Sequence, residues 1–368
     1  MRIDRLALKD FTVFAEADFE FSPGLNVFIG ANGTGKSHVL KGLFSVTRYV
    51  ATNGPLLRAF TEGEDKTDWI ARASATLGPP ILAGFEKTFR PEPDRPRPLA
   101  SLVRHGTHES EFVVRGDFGT AAIGFGEGVA KTGFSNSYAP GGHAVFVPTN
   151  EVLSIYPGFI AAYERRELSF DETVRDLCVD LSASPLRSVS PPVLAEVVSE
   201  LDEAVGGKTV LRGDRFYVLL SEDWPLEAAM LAEGLRKLAA VTQLIRNGSL
   251  AENGVLFWDE PETNLNPKLI TVLARVLMKL AGAGIQVFIA THDYLLADEL
   301  SLAAEYQTPD GVAAKTKFFC LLRAGPREPV QVQFGDTLTD IEANPILEEF
   351  SAHYDREQNL FYGTSPTT

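Results

Sequence analysis

Residues 25–37 read LNVFIGANGTGKS, an apolar run that leads into a glycine-rich loop. The last eight residues match the pattern GxxxxGK[ST]. They are Gly30, Ala31, Asn32, Gly33, Thr34, Gly35, Lys36 and Ser37. Glycines allow successive backbone N–H groups to turn inward around a phosphate, and the helix predicted over Ser37–Val46 directs its positive end at the same anion. The stretch therefore predicts a strand, a phosphate-binding loop and a helix in succession.

A second apolar run, VLFW at residues 255–258, ends in the carboxylates Asp259 and Glu260. A solvated strand end is the ordinary interpretation of such acids. Beside a phosphate loop, however, a strand-end carboxylate supports the Mg²⁺ of P-loop ATPases. We therefore predict a site for ATP and Mg²⁺ in which Lys36 neutralises the phosphates while Ser37 and Asp259 hold the metal. Glu260 is placed to orient or deprotonate the attacking water.

A third apolar run, VFIA at residues 287–290, leads through a threonine to His292. A lone histidine is more often structural than catalytic. Its position directly after a strand, 33 residues beyond Asp259, nevertheless favours a functional role. We therefore predict that His292 contacts the γ-phosphate of the nucleotide.

Composition limits the kinds of partner. The 368-residue chain is 45% hydrophobic and 23% charged, with a formal net charge of −15. The apolar content is sufficient for a sizeable core, but a surface of this charge does not as a whole attract nucleic acid or an anionic membrane. We expect protein partners rather than extensive DNA contact, while a local DNA-binding groove stays open.

Cysteine usage and hydropathy bear on the compartment. Cys178 and Cys320 are far apart and have no neighbouring partner motif. Such usage is typical of a reducing cytoplasm and predicts neither a disulfide framework nor a cysteine-based metal site. No apolar run approaches the ~18 residues that a membrane helix needs. We therefore expect a cytoplasmic protein without a membrane partner.

Strands and helices alternate after residue 250, which favours an α/β fold with a mixed, largely parallel sheet. Strands predicted over Ile3–Leu8 and Val13–Phe21 form an antiparallel annex. The proline-rich stretch 80–100 is expected to contain no regular helix or central strand, and the glycine-rich stretch 111–142 is expected to form hairpins and loops. Further strands are predicted at Ala144–Val147, Thr209–Leu220 (a hairpin turning at Gly213–Asp214), Val255–Trp258, Gln286–Ala290, Lys317–Leu322 and Val330–Phe334. Further helices are predicted within Pro157–Val205 and at Ala232–Ile245, Pro267–Leu280, Tyr294–Leu302 and Asn344–Tyr354.

Two further segments carry a resemblance to a known family. Residues 231–238 read LAEGLRKL, and residues 259–267 read DEPETNLNP. In order with the phosphate loop and His292, they resemble an ABC-type ATPase of the group that includes the RecF, SMC and OLD proteins and many bacterial AAA-family ATPases. The segment PTNEVLS at 148–154 is similar to the middle region of that group. The resemblance is weak over residues 51–143.

The resemblance implies an ABC-ATPase head with an N-terminal antiparallel annex and a helical signature subdomain. Its nucleotide-binding lobe is expected to be discontinuous, comprising residues 1–50 and 206–335. Residues 51–205 are then an insertion that includes the helical subdomain, and residues 336–368 form a C-terminal helix and tail.

The resemblance also implies an ATP-dependent, head-to-tail homodimer with two ATP molecules between the protomers. A helix beginning at the signature segment would cap the ATP of the second protomer, and such a helix end has spare N–H donors for phosphate. The residues assigned to this contact are Ala232, Glu233, Gly234 and Arg236. An ordinary amphipathic helix with a tolerated glycine is the alternative.

Two departures from the family pattern affect hydrolysis more than nucleotide binding. Ala232 replaces the signature serine, so the backbone donors and a basic side chain, Arg236 or Lys237, remain. The first 242 residues contain no glutamine, so the glutamine that joins magnesium to the helical lobe is absent. Asn150 or Glu151 is the candidate substitute.

Three functions fit these patterns. The first is an ATPase that dimerises around ATP and drives or gates a separately encoded effector in anti-phage defence or DNA maintenance. The second is the ATPase subunit of a membrane transporter, which the DEPE run and the missing glutamine disfavour. The third is a nucleotide sensor with little turnover.

Overall fold

The computed structural model describes residues 1–53, 66–92, 98–126, 131–135, 142–221, 224–306, 314–325 and 327–362. These residues form fourteen strands and nine α-helices. The strands are β1 (Ile3–Phe11), β2 (Phe14–Glu20), β3 (Leu25–Ile29), β4 (Glu109–Gly116), β5 (Gly119–Gly126), β6 (Lys131–Ser135), β7 (Ala144–Val147), β8 (Lys208–Arg212), β9 (Arg215–Ser221), β10 (Trp224–Glu227), β11 (Val255–Asp259), β12 (Gln286–Thr291), β13 (Thr316–Leu322) and β14 (Gln331–Gly335). The helices are α1 (Lys36–Asn53), α2 (Lys66–Phe89), α3 (Phe159–Glu164), α4 (Glu172–Leu181), α5 (Pro192–Val205), α6 (Glu233–Arg246), α7 (Pro267–Gly282), α8 (Tyr294–Glu305) and α9 (Pro345–Tyr362).

Six strands form the central sheet in the order β14-β13-β3-β12-β11-β7. The strands from β13 to β7 are parallel to one another, and β14 is antiparallel to β13. The four strands β3, β7, β11 and β12 are buried along their whole length, as is typical of parallel strands covered on both faces. Because parallel strands end at the same edge, the segments that follow β3, β12 and β11 lie side by side.

The antiparallel annex has five strands in the order β2-β1-β4-β5-β6. It shares a core with one face of the central sheet, and phenylalanine rings fill much of this core. The ring centroids of Phe19 and Phe319 are 5.5 Å apart, and those of Phe21 and Phe288 are 5.0 Å apart. The annex therefore holds one face of the sheet that carries the phosphate loop.

A second hydrophobic core lies against the central sheet on the face away from the annex. A helical layer made of α4, α5 and α6 packs in this core, together with a three-stranded sheet in the order β10-β9-β8. Side chains from each element meet in this core, among them Leu177, Leu201, Val218 and Leu244. The helix that carries the predicted signature segment, α6, is thus fixed along its length by apolar packing.

The predicted fold class is confirmed, with a mixed sheet, an antiparallel annex and helices. The helices and strands predicted from residue 144 onward are all present. The side chain of Asn344 caps α9 by accepting a hydrogen bond from the Leu347 N–H at 3.3 Å. The division into domains stays a prediction, and residues 51–205 supply β4–β6 to the annex and β7 to the central sheet. Parts of three stretches with predictions lie outside the described residues. They are 93–97 of the proline-rich stretch, 127–130 and 136–141 of the glycine-rich stretch, and 363–368 of the C-terminal tail.

The expectation that residues 80–100 contain no regular helix is wrong, because α2 continues to Phe89 with Pro79 and Pro80 inside it. An interior proline costs a helix ~3 kcal/mol or more. Burial of a large apolar side chain returns about 1.5–3 kcal/mol, and α2 buries several of them in the annex core. They are Leu77, Ile81 and Phe85. Tertiary packing therefore outweighs the local penalty.

Among the described residues, no helix has both the length and the apolar character needed to cross a bilayer.

Candidate functional site

The phosphate loop connects β3 to α1, and its glycines are required by its geometry. Gly30, Gly33 and Gly35 have φ values of 146°, 78° and 92°. A Cβ at Gly30 would lie 2.5 Å from the Leu321 carbonyl oxygen, and one at Gly35 would lie 2.7 Å from the Phe14 ring. The loop is thus held between β13 and the annex in a conformation that residues with side chains rarely adopt.

Lys36 is a buried cation inside this loop, with 6% of its surface exposed. Its Nζ donates to the carbonyl oxygens of Gly30 at 2.6 Å and Ala31 at 3.0 Å. Burial lowers the pKa of Lys36, and nearby carboxylates, led by Asp259, oppose this shift. Among the described residues, no carboxylate lies within ion-pair distance of Nζ. A buried cation without an ion pair, next to a glycine cradle, fits an anionic phosphate chain.

The sheet topology brings Ser37 and Asp259 together although they are 222 positions apart in the chain. Strand β12 lies between β3 and β11, and all three end at the same edge. Burial raises the pKa of Asp259, and the nearby Ser37 side chain opposes the rise. The two predicted metal-holding groups are therefore neighbours.

These two side chains suit Mg²⁺ in combination with phosphate oxygens. No group of three or more histidine, cysteine, aspartate or glutamate side chains that could hold a metal is found in the described part of the chain. Mg²⁺ commonly takes one or two protein ligands and completes its shell with phosphates and water. Ser37 and Asp259 would supply these protein ligands.

Glu260 follows Asp259 in a backbone conformation that is uncommon for a residue with a side chain, with φ = 48°. Its N–H continues the sheet by donating to the Ala290 carbonyl oxygen at 2.8 Å. Its carboxylate Oε1 lies 3.2 Å from Nδ1 of His292. The turn at Glu260 thus directs the predicted base toward the predicted phosphate sensor, and the two form one pair.

Glu262 is a functional candidate that the sequence reasoning missed. It is 6% exposed, and its Oε1 accepts a hydrogen bond from the Thr291 hydroxyl at 2.7 Å. The same oxygen lies 3.9 Å from Nδ1 of His292. Burial raises the pKa of Glu262, and the Thr291 hydrogen bond and the His292 ring oppose the rise. Glu262 is therefore a second, buried carboxylate beside His292.

The segment predicted to contact a second protomer begins α6. Ala232 is the N-cap residue and provides no side-chain hydrogen bond, so the first N–H groups of α6 lack a side-chain cap. Gly234 is buried against the loop that follows Glu260, where a Cβ would lie 2.4 Å from the Asn264 carbonyl oxygen. Close packing within the chain is thus one reason for a glycine at this position.

The two basic side chains in the N-terminal half of α6 are engaged within the chain. The Arg236 Nε lies 2.9 Å from the Glu151 Oε1, and its Nη1 donates to the Leu231 carbonyl oxygen at 2.5 Å. Lys237 is 1% exposed, and its Nζ donates to the Glu260 carbonyl oxygen at 3.3 Å. Lys237 therefore reaches the turn at Glu260 of its own chain, and a contact of either basic side chain with a second protomer stays a prediction.

Glu151 is one of the two candidates for the missing glutamine. Besides its ion pair with Arg236, its carboxylate accepts hydrogen bonds from the hydroxyl and the N–H of Ser154. Glu151 therefore links the segment after β7 to α6. The structure gives no side-chain contact for Asn150 among the described residues, and the choice between the two as a magnesium-linked group stays a prediction.

Two basic side chains of α1 form ion pairs with the segment around α4. Lys41 Nζ lies 2.6 Å from Asp171 Oδ2. Seven residues further along α1, Arg48 donates from its two terminal nitrogens to the Asp180 carboxylate at 3.1 and 3.0 Å. Arg48 also lies 3.6 Å from Asp176. Burial raises the pKa of Asp176, and the charge of Arg48 opposes this rise. Helix α1 is therefore tied to the helical layer at two positions along its length.

A cavity of about 350 Å³ opens beside the phosphate loop. It extends from Ala31 to the end of β13 and the segment that leads to β14, including Arg323 and Gln331. The Arg323 Nη1 donates to the Gly33 carbonyl oxygen at 3.1 Å. The cavity therefore adjoins the phosphate loop at Ala31.

Fold and site together resemble those of RecF/SMC-like P-loop ATPases. Residues 148–298 match the family described as "AAA domain, putative AbiEii toxin, Type IV TA system", and residues 5–55 match one described as "AAA domain". A solved structure, the SmcHead bound to the C-winged helix domain of ScpA, superposes with a TM-score of 0.51. It is 13% identical in sequence, over 92% of this chain and 98% of that chain. At this identity the likeness shows the fold.

Curated relatives carry the name "DNA replication and repair protein RecF". The protein of Renibacterium salmoninarum is 30% identical over 27% of this chain and 26% of its own length. That of Magnetococcus marinus is 49% identical over 12% of this chain and 11% of its own length. The matched regions thus span about a quarter or less of these relatives. The resemblance inferred from the motifs is confirmed by these matches.

Proposed function

We propose that this chain binds ATP with Mg²⁺ and hydrolyses it. The observation that carries the proposal is the convergence of side chains from three adjacent strand ends at one edge of the sheet. They are Lys36, Ser37, Asp259, Glu260 and His292. The buried ammonium neutralises phosphate charge, and the neighbouring cavity accepts the nucleoside.

Each side chain has a role that its surroundings favour. Lys36 holds the β- and γ-phosphates in the loop, while Ser37 and Asp259 support Mg²⁺, which when bound stabilises negative charge on the phosphate oxygens. Glu260 accepts the proton of the attacking water. His292 lies beside the base and donates toward the γ-phosphate, and its contact with the Glu260 carboxylate keeps its ring in position.

The proposal includes an ATP-dependent homodimer. In it, the uncapped N–H groups at Ala232, Glu233 and Gly234 contact the phosphates held by a second copy. Arg236 is assigned to the same contact, although its guanidinium would have to leave Glu151 to reach a second protomer. The backbone donors therefore supply the main interaction in this proposal.

ATP turnover is proposed to control a separately encoded protein in DNA maintenance. The RecF relatives are named for replication and repair, and the SMC head structure contains a bound domain of another protein. The matched family description also names a putative toxin, which favours anti-phage defence as a second setting. The net charge of −15 supports a protein partner over extensive DNA contact.

The substitution Glu260→Gln tests the proposal. This change keeps the size of the side chain but removes the base, so phosphate release should fall by about 10²–10⁴-fold while ATP binding persists. Sedimentation velocity with ATP should then show an accumulated dimer. The matched control is Glu203→Gln, which alters an exposed glutamate on α5.

Three results would change the proposal. Wild-type protein as inactive as Glu260→Gln, but dimeric with ATP, would favour a nucleotide sensor. A Glu260→Gln protein that stays monomeric with ATP would contradict the sandwich dimer. Co-purification of the chain with a membrane protein would favour a transporter subunit.

A further inference from the structure

A second cavity, of about 600 Å³, lies in the helical layer away from the phosphate loop. It is formed by the segment 182–189 after α4, by β8 with its turn, and by the C-terminal half of α6. Its volume is in the range of small-molecule sites, about 300–1,000 Å³. None of the phosphate-loop or strand-end residues described above lines it.

The charge of this cavity is opposite to that of the whole chain. Four of its lining residues are cations, and none of those that the structure describes is acidic. The cations are Arg187, Lys208, Arg212 and Arg246. Arg246 pairs with Asp202, whereas the other three are exposed and have no carboxylate within 4 Å among the described residues. On a chain of net charge −15, such a group marks a place for an anion.

Two buried polar side chains that line the same cavity lack partners. Gln243 is 1% exposed, and neither its amide nitrogen nor its amide oxygen has a hydrogen-bond partner within the described structure. The Thr209 hydroxyl is also buried and unpartnered. Unsatisfied buried groups of this kind are rare, because each is costly to remove from water. A ligand that offers both a donor and an acceptor would satisfy the Gln243 amide.

We propose that this cavity is a second ligand site, which binds a nucleotide. A glutamine amide pairs with a base edge that presents a donor beside an acceptor, as adenine does. The base would lie on Gln243 and Thr209, and the phosphate would lie on Arg187, Lys208 and Arg212. A nucleotide would contact both the unpartnered polar side chains and the cations of the cavity, whereas inorganic phosphate would contact the cations alone.

The site also has a physical connection to the catalytic turn. Gln243 is six residues, about 9 Å, from Lys237 on the same helix, and Lys237 donates to the Glu260 carbonyl oxygen. A ligand that fixes the C-terminal half of α6 thereby restrains this contact. The inference does not depend on ATP hydrolysis, since binding in the cavity involves none of the phosphate-loop residues.

Equilibrium dialysis of the Lys36→Ala protein with labelled AMP tests the proposal, because this variant removes binding at the phosphate loop. One AMP should bind per chain, more tightly than adenosine or inorganic phosphate alone. Gln243→Leu and Arg212→Ala should each weaken AMP binding about tenfold or more. Arg215→Ala is the matched control, since Arg215 faces Arg212 across the hairpin turn but does not line the cavity.

Gln243→Leu has a second readout. Because it removes an unpartnered amide, it should raise the midpoint of thermal unfolding, whereas loss of a merely structural glutamine would lower it. Absence of AMP binding at millimolar concentration, or equal binding by the Arg212→Ala and Arg215→Ala proteins, would overturn the proposal. If Lys36→Ala does not fold, wild-type protein should bind two nucleotides per chain and Arg212→Ala one. Failure of ATP hydrolysis with intact AMP binding would leave this site standing and remove the proposed function.

Discussion

Replacing Gly234 by alanine is expected to separate nucleotide binding from turnover. Gly234 is buried in the first turn of α6, and a Cβ there would lie 2.4 Å from the Asn264 carbonyl oxygen and 2.7 Å from the Leu265 Cδ2. The shorter distance is about 1 Å below ordinary van der Waals contact. Because a backbone carbonyl cannot rotate away as a flexible side chain can, α6 and the loop after Glu260 must move apart.

The size of the effect follows from this overlap. Overpacking of this kind costs about 1–3 kcal/mol, and alanine is favoured over glycine by up to about 1 kcal/mol in a helix interior. Since Gly234 is the second residue of α6, the helix gain is small, and the free energy of unfolding should fall by about 1–2 kcal/mol. A shift of the loop by a fraction of an ångström also displaces Glu260, so turnover should fall by about 10–100-fold.

Urea unfolding measures the free energy of unfolding, ATP titration measures the affinity for ATP, and phosphate release measures turnover. The ATP affinity of the single chain, titrated at a protein concentration too low for dimerisation, should be unchanged, because Gly234 touches no part of the phosphate loop in its own chain. The control is Gly124→Ala on β5, where a Cβ has its nearest neighbour at 3.9 Å. A Gly234→Ala protein with wild-type stability and turnover would refute the argument that close packing in the chain requires this glycine.

Three further predictions concern binding, buried charge and thiol reactivity. Lys36→Ala should abolish ATP binding in a titration, and retention of wild-type affinity would contradict the role of the buried ammonium. Arg48→Met should lower the free energy of unfolding by about 3–5 kcal/mol, because it removes the buried guanidinium that contacts both Asp180 and Asp176. Burial raises the pKa of Asp176, and Arg48 opposes that rise. Without Arg48 the folded protein should bind a proton at Asp176 more readily, so the loss of stability in urea unfolding should become smaller as the pH falls from 8 to 5; equal losses at both pH values would argue against this. Burial raises the pKa of the Cys178 and Cys320 thiols to about 12, so both should react with a thiol reagent at pH 8 only after unfolding, and rapid reaction of the folded protein would show that they are accessible.

The phosphate loop and the strand-end carboxylates were predictable because their determinants are local. The sequence around Gly30 to Ser37 specifies a turn after a buried strand, and Asp259 follows another strand of the same kind. Parallel strands end at one edge, so strand order alone brings these residues together. The contact between Glu260 and His292 follows from the same rule, since β11 and β12 are neighbours.

Other features depend on contacts between distant segments, which no local pattern marks. The Thr291 hydroxyl that supports Glu262 comes from the neighbouring strand, and either residue alone reads as an ordinary polar side chain. Helix α2 passes through Pro79 and Pro80 because it packs on the annex. The ion pair that engages Arg236 is formed with Glu151, 85 positions earlier in the chain.

The ion pairs along α1 have a mechanical consequence. Lys41 and Arg48 lie about 10 Å apart along the helix axis, and each is anchored to a carboxylate in or next to α4. Rotation of α1 about its axis, or sliding along it, would break the ion pairs at both positions. We therefore expect α1, which begins at the phosphate loop, and α4 to move together when the loop moves.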